Sequence, residues 1–203
     1  GGAVTAADIL TDAGRRIEVE LAAEPAVAAE LGLIVAESLD RIGMPEGSEG
    51  LMAATVERAH RAWGAVDPRT LRAEFALARA ERYRDAEAAL QRIDRIVPAL
   101  RAGLPSTART AIDALEMQSF LRARLNREQD SYVALDEAIA LAEQHLGPDH
   151  ENTIFLLGLR SNTYGRFADR PRQLAAAEVA LERARRVFGT QRPHDTLIAV
   201  ERW

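Results

Sequence analysis

A short segment that ends one helix and begins another recurs along the chain, and it constrains the fold more than any other feature. Its clearest copy starts at Leu146 and reads L-G-P-D-H-E-N-T. Gly147 can adopt the left-handed conformation that ends a helix, and Pro148 cannot continue one. Asp149 is then expected to cap the next helix, with the asparagine and threonine that follow as competing caps. We interpret this segment as a joint between two helices.

The joint repeats with a regular period. Segments 63–70 and 188–196 have the same order of residues, and 103–107 and 24–25 are weaker copies. The joint prolines fall at 25, 68, 105, 148 and 193, so the steps are 43, 37, 43 and 45 residues. A helical period near forty predicts stacked helical hairpins, and therefore an all-α chain. The predicted segments are an N-terminal flanking helix over 1–24, four repeats over 25–66, 67–103, 104–147 and 148–191, and the start of a further, truncated repeat over 192–203.

The residues of the clearest joint resemble those of a known repeat family. Leu146-Gly147-Pro148-Asp149-His150-x-x-Thr153 is similar to the joint of the long tetratricopeptide repeats of kinesin light chain and many bacterial proteins, and Leu157 and Tyr164 also match that repeat. Glu151 replaces a family proline, and Gly158-Leu159 replaces paired asparagines that often face the ligand. The resemblance implies a right-handed α-solenoid of tetratricopeptide-type helical hairpins.

Departures from an even repeat predict local features. The first helix of the second repeat is expected to be about one turn short. A turn is expected over 44–47, an enlarged turn over 165–170, and a left-handed Asn126 in the turn of the third repeat. Apolar periodicity places Leu31 and Leu174 among the core-facing residues. These are expectations about packing and turns within the predicted repeats.

Composition excludes several classes of protein. The net charge is only −5, with arginine and acidic residues interspersed and lysine absent, so no phosphate-binding surface for nucleic acid is indicated. The chain has no cysteine, and its apolar runs are far shorter than the ~20 residues that span a bilayer. We therefore expect a cytoplasmic protein without membrane or nucleic-acid partners. Because the sequence stops soon after a new repeat begins, we also expect a fragment, with Gly1-Gly2 left from cloning.

Neither a catalytic nor a cofactor motif is recognisable. No nucleophile elbow, phosphate loop or dinucleotide fingerprint occurs, and paired carboxylates stand beside arginines on helical patterns, where ion pairs and solvation explain them. Four histidines stand at 60, 145, 150 and 194, without metal-ligand spacing. A metal bound by His145, Asp149 and His150 is an alternative, but the joints explain these residues adequately. We predict no catalytic residue, no metal and no cofactor.

The family resemblance implies that a partner binds in a concave groove. In tetratricopeptide arrays the first helix of each hairpin lines this groove, which holds extended peptides or helices. The resemblance therefore implies a non-catalytic scaffold that binds a protein or peptide ligand. By helical position, the candidate partner-binding residues are Glu37, Arg41, Arg72, Arg79, Glu116, Asn162 and Arg166.

Two further hypotheses concern assembly and context. The apolar residues of a terminal helix over 196–203 predict, as the alternative function, a homodimer or a regulatory segment. Residues 8–25 resemble the segment that precedes the repeats in bacterial receptor-like serine/threonine kinases and related transcriptional regulators. That resemblance implies a bacterial signalling protein whose enzymatic or DNA-binding part lies upstream.

Overall fold

Helical hairpins form the whole described part of the chain. The computed structural model describes residues 4–43 and 45–189, and the side chains of 45–48 lie outside that description. The chain divides into two compact units, 1–103 and 104–203. The helices described in the first unit are α1 (Ala6–Glu20), α2 (Pro25–Arg41), α3 (Pro45–Trp63), α4 (Pro68–Glu81) and α5 (Ala86–Ala102), and those in the second are α6 (Ala108–Arg124), α7 (Glu128–His145), α8 (Glu151–Arg166) and α9 (Arg170–Phe188). The repeat boundaries stay a prediction.

Polar side chains at the helix starts explain where several helices begin. Thr5 and Asp8 form a reciprocal capping box at α1, and the Asp67 carboxylate accepts the Arg69 N–H at the start of α4. At α8 the prediction of an Asp149 cap is wrong. His150 is the cap, and its Nδ1 accepts the Asn152 N–H at 3.1 Å. Asp149 instead pairs with Arg186 of α9, because its side chain points toward the neighbouring helix.

The turns confirm some of the predictions and correct others. Gly147 ends α7 with φ 102°, and Asn126 adopts the predicted left-handed conformation with φ 58°. The turn between α8 and α9 is not enlarged, since α8 continues to Arg166 and α9 starts at Arg170. Ala168 makes this short turn possible by adopting φ 60°. The turn predicted over 44–47 is also wrong, because α3 already begins at Pro45.

The first unit packs consecutive helices around a core of aliphatic and small side chains. Residues of α2, α3 and α4 form one buried cluster that includes Leu39, Met52 and Leu77. Gly32 lets α2 and α3 approach closely, because a Cβ at this position would lie 2.4 Å from the Thr55 hydroxyl oxygen. Such close approach of helices is the usual role of small residues in helical hairpins.

The second unit repeats this scheme with an aromatic addition. Ile112 and Leu115 of α6, Leu135 of α7 and Ile154 of α8 are fully buried. The Tyr132 ring of α7 also lies against the rings of two residues at the end of α8, with the closest centroids 4.8 Å apart. Burial raises the pKa of the Tyr132 hydroxyl, which donates a hydrogen bond to the Glu128 carboxylate.

Two predicted core residues are surface residues. Leu31 is 41% exposed and Leu174 is 49% exposed. Leu31 borders a cavity that the neighbouring helix α1 leaves open, and other apolar residues of α2 and α9 are exposed as well. The expected short helix is confirmed, since α4 has 14 residues, fewer than any other helix in the described ranges. None of the helices described combines the length and apolar character that crossing a bilayer requires.

Candidate functional site

The first helices of successive predicted repeats lie side by side within each unit. In the first unit α2 contacts α4, and ion pairs join them on a surface that we name the α2–α4 face. Arg72 donates to the Glu37 carboxylate at 2.9 Å. One turn further, Asp40 lies 3.2 Å from Arg79 and 3.8 Å from Arg82. The sequence-predicted residues Glu37, Arg72 and Arg79 thus share one face, and they are paired within the chain.

An apolar ridge runs along α2. Val27, Leu31 and Ile34 are 41%, 41% and 58% exposed, and their spacing of four and three residues aligns them on one side of the helix. Most apolar surface of such spacing on a helix packs against a neighbouring element. Here the neighbours α1, α3 and α4 cover other sides of α2. We name Val27, Leu31 and Ile34 the α2 ridge.

A cavity flanks the ridge on the side of α4. It has a volume of about 290 Å³ and an apolar floor that includes Leu33, Ile34 and Trp63. The Arg69 guanidinium lies 4.1 Å from the centre of the Trp63 ring, and Arg72 also lines the opening. Such an arrangement can hold an apolar side chain below two guanidinium groups.

A second cavity flanks the ridge on the side of α1. It has a volume of about 310 Å³ and is lined by apolar residues of α1, by Leu31 and Val35 of α2, and by the ion pair of Arg16 with Glu20. The Arg16 guanidinium donates to Glu20 at 2.8 Å. The α2 ridge therefore lies between two apolar cavities that charged side chains border. No single sequence motif predicted this surface.

In the second unit α6 and α8 form an equivalent surface, which we name the α6–α8 face. Near the helix ends, Arg166 Nε donates to the Ala123 carbonyl at 3.0 Å. Near their starts, Arg109 of α6 and Asn152 and Phe155 of α8 line a polar cavity of about 350 Å³. The sequence-predicted residues Glu116 and Asn162 lie between these two contacts along α6 and α8.

Two sequence-predicted residues, Glu116 and Asn162, lie in buried surroundings on the α6–α8 face. Asn162 Oδ1 is buried without a hydrogen bond. Burial raises the pKa of the half-buried Glu116 carboxyl to about 7, the Asp113 carboxylate adds to this rise, and Arg109 opposes it. Arg109 itself is bonded to Asp113 at 3.1 Å. The described part of the chain therefore leaves one buried acceptor of this face, Asn162 Oδ1, without a donor.

A buried ion network joins α3, α4 and α5, and sequence reasoning missed it. Arg92 of α5 donates to Glu74 at 2.6 Å and to Glu81 at 3.1 Å, and His60 of α3 bonds Glu74 at 2.8 Å. Burial by itself would raise the pKa of Glu74, but the hydrogen bonds from His60 and Arg92 outweigh it and lower that pKa. The opposite charges compensate each other, which indicates a structural role. In the sequence, these residues could be recognised only by their position on helix sides that are expected to be buried.

The described ranges contain no group of three or more histidine and acidic residues that could bind a metal ion. His150 uses its ring nitrogen to cap α8, and Asp149 pairs with Arg186. Chemistry at this joint is therefore accounted for by helix capping and an ion pair.

Whether the seven predicted residues touch a ligand stays a prediction. Arg41 is exposed at the end of α2, and the other six lie on the α2–α4 and α6–α8 faces as described above. The terminal helix predicted over 196–203, with His194 before it, lies outside the described residues.

Comparisons with solved structures identify proteins with a similar fold. The crystal structure of BtubC (BKLC) from P. vanneervenii is similar with a TM-score of 0.74 and 14% sequence identity, covering 98% of this chain and 84% of that chain. Two crystal structures of MamA have TM-scores of 0.62 and 0.58 with 17% and 16% identity; both cover 93% of this chain, and 100% and 97% of the respective MamA chains. The sequence matches no protein-family model and no curated protein.

These likenesses confirm the predicted fold class, an all-α solenoid of the tetratricopeptide type. The identities are low, so the likeness is one of fold.

Proposed function

We propose that this chain is a non-catalytic scaffold that binds a protein or peptide segment along the first helices of its repeats. The observation that carries the proposal is the α2 ridge, three exposed apolar side chains with an apolar cavity on each side. A segment with apolar side chains at matching spacing would place one side chain in each cavity and cover the ridge between them. The Leu31 and Ile34 side chains would be buried by such a segment.

The ridge is large enough to give measurable affinity. Fully burying an aliphatic side chain contributes about 1.5–3 kcal/mol, and each ridge residue retains roughly half of its surface for a ligand. The three together therefore contribute about 3 kcal/mol, which is on the order of a hundredfold in the dissociation constant. Affinity on this face thus depends mainly on apolar contacts.

The charged side chains that border the two cavities can orient a bound segment. Arg16, Arg69 and Arg72 have side chains more than half exposed, and each pairs with a carboxylate of the same unit. Exposed ion pairs contribute about 0–1 kcal/mol, so these arginines can exchange partners with ligand carboxylates at little cost. We propose that the ligand segment carries acidic residues beside its apolar ones, and that these charged side chains fix its direction.

A selection experiment tests this proposal. A library of acetylated, amidated peptides of random sequence would be panned on the chain, and dissociation constants of the selected peptides would be measured by calorimetry. In the double variant Leu31→Ser/Ile34→Ser we expect a loss of tenfold or more. The matched control is Val133→Ser, which removes an exposed valine from α7 and should leave binding unchanged.

Three outcomes would contradict the proposal. One is a failure to select any peptide, and another is that the affinity of the selected peptides does not change in the double variant. The third is a dimer, measured by light scattering, that becomes monomeric in the double variant, because a second copy of the chain would then cover the ridge.

We also propose a bacterial signalling context in the cytoplasm, with a kinase or transcriptional regulator upstream. This part rests on the resemblance of residues 8–25 alone, and the structural likenesses give the kinase link no support. The reading frame upstream of Gly1 tests it. A kinase or winged-helix sequence there is the expected result, and an unrelated coding sequence would contradict the context without affecting the binding proposal.

A further inference from the structure

We propose that the cavity between α1 and α2 binds one amphipathic α-helix of a partner protein. Apolar residues of both helices line this cavity, namely Ala13, Ile17 and Leu21 on the side of α1 and Leu31 and Val35 on the side of α2. We name it the α1–α2 groove. This inference rests on the proposed function, because it adds the conformation of the bound segment and the side of the α2 ridge on which it lies.

The first unit itself shows what fills an equivalent groove. There α4 contacts both α2 and α3. Three residues of α2 belong to one buried cluster with residues of α3 and α4, namely Ala29, Leu33 and Ala36. The groove between α3 and α4 is therefore filled by a helix, α2. The helices α1 and α2 are the equivalent pair, since they also contact each other in chain order, and the described ranges contain no helix before α1.

Exposure at equivalent helix positions shows the consequence. Leu77, the tenth residue of α4, is 4% exposed, whereas Ile34, the tenth residue of α2, is 58% exposed. In the second unit α8 contacts the preceding helices α6 and α7, and its seventh residue, Leu157, is 3% exposed. Leu31, the seventh residue of α2, is 41% exposed. The helices α4 and α8, which each follow a helical hairpin, thus bury positions that α2 exposes.

The apolar walls favour a helix over an extended segment. The N–H and C=O groups of an extended segment need hydrogen-bond partners, and burying them without partners is unfavourable. The apolar wall residues offer none, because their side chains are apolar and their backbone groups bond within α1 and α2 or, at Leu21, to Ile17 and Glu24. A helix satisfies its own backbone groups and presents only side chains to the groove.

The internal example also indicates the composition of the partner helix. On the side that packs against α3 and α4, α2 presents Ala29, Leu33 and Ala36, and its small residues allow close approach of the helix axes. We therefore expect small or aliphatic residues at positions i, i+4 and i+7 of the partner helix. The charged side chains of the groove, Arg16 and Glu20, pair with each other at 2.8 Å. A charged residue within the apolar stripe of the partner would lose its hydration against apolar walls, which is unfavourable.

Two measurements on the panned peptides test the groove. The peptide with the highest affinity would be synthesised with carbon-13 labels, and its Cα chemical shifts in complex with the unaltered chain should be helical. Ala13→Trp fills the groove from the side of α1 and should weaken binding by about tenfold or more. The matched control is Val19→Trp, which places the same ring on an exposed position of α1 outside the groove and should leave binding unchanged.

The outcomes separate this inference from the proposed function. If no peptide binds, both fail. The inference alone is overturned if the peptides lose affinity in Leu31→Ser/Ile34→Ser but have extended Cα shifts in the complex, or bind Ala13→Trp as tightly as Val19→Trp. Circular dichroism of each variant checks that it folds. Should Ala13→Trp not fold, Ala13→Met fills the groove with a smaller, flexible side chain and should also weaken binding, and unchanged binding by it would overturn the inference.

Discussion

Arg92 holds two carboxylates in the interior of the first unit, so its removal should be far more costly than the loss of an ordinary surface arginine. Its guanidinium bonds Glu74 and Glu81, and the side chains of Arg92, Glu74 and Glu81 are 18%, 13% and 11% exposed. In Arg92→Met the apolar stem is kept but both carboxylates lose their shared cation. His60 would remain as a partner for Glu74 only.

The expected cost follows from the burial of the partners. Breaking a buried ion pair by removing one member typically costs about 3–5 kcal/mol, because the other charge stays buried and uncompensated. We expect Arg92→Met to lie in this range. The triple variant Arg92→Met/Glu74→Gln/Glu81→Gln should regain most of the loss, since no uncompensated charge remains. The control Arg84→Met breaks an exposed pair with Glu49 and should cost less than about 1 kcal/mol.

The effect should depend on pH in a defined direction. The pKa of Glu74 is lowered in the folded chain, so its stabilising contribution is present above its ordinary pKa of 4.5 and is lost as the pH falls through the folded value. The difference in free energy of unfolding between the unaltered chain and Arg92→Met should therefore have its full size at pH 7 and decrease in acid. Protonation of Glu74 removes the charge that Arg92 compensates.

Urea unfolding followed by circular dichroism measures the free energies, and hydrogen exchange over 68–102 locates them in the hairpin of α4 and α5. The reasoning is refuted if Arg92→Met costs no more than Arg84→Met, or if the triple variant is as unstable as the single one. Either result would mean that water reaches the carboxylates and screens them.

Three further predictions concern single positions. Gly32→Ala should destabilise the chain by about 1–3 kcal/mol in urea unfolding, because its Cβ would meet the Thr55 hydroxyl, whereas in a Thr55→Ala background it should stabilise by up to about 1 kcal/mol through helix propensity. Ala168→Gly should stabilise by up to about 1 kcal/mol in the same assay, because φ 60° strains an alanine by more than glycine loses in entropy. Carbon NMR should show that Glu116 titrates at about pH 7. Because this pKa is raised above the ordinary value of 4.5, the unaltered chain should lose stability relative to Glu116→Gln as the pH rises from about 4.5 to 7. The first argument is contradicted if Gly32→Ala/Thr55→Ala is less stable than Thr55→Ala, and the second if Ala168→Gly is less stable than the unaltered chain. The third is contradicted if Glu116 titrates at its ordinary pKa of 4.5.

Sequence patterns predicted the features that depend on backbone chemistry. Gly147 and Asn126 end their helices in the left-handed region as expected, and the short α4 was visible as a missing turn in the repeat. Such features depend on which residues tolerate a given φ, a property that each residue carries by itself. They can therefore be predicted without knowledge of the neighbours.

Features that depend on neighbouring helices were not predictable in the same way. His150 rather than Asp149 caps α8, because Asp149 forms an ion pair with Arg186, which is distant in sequence. Leu31 fits the apolar period of a buried position, yet it is exposed because the flanking helices leave a cavity beside it. The partners of Arg92 likewise come from another helix. A single sequence gives the periodicity of a helix but not the angle at which its neighbours pack.

The two units differ in how their equivalent faces are satisfied. On the α2–α4 face the acceptors Glu37 and Asp40 meet Arg72 and Arg79 of the same unit, so a ligand there finds its polar groups already paired and gains mainly from apolar contact. On the α6–α8 face the Glu116 carboxyl makes no salt bridge within the described ranges, and Arg109, the cation that acts on it, is bonded to Asp113. We therefore expect a ligand on the α2–α4 face to bind mainly through the α2 ridge.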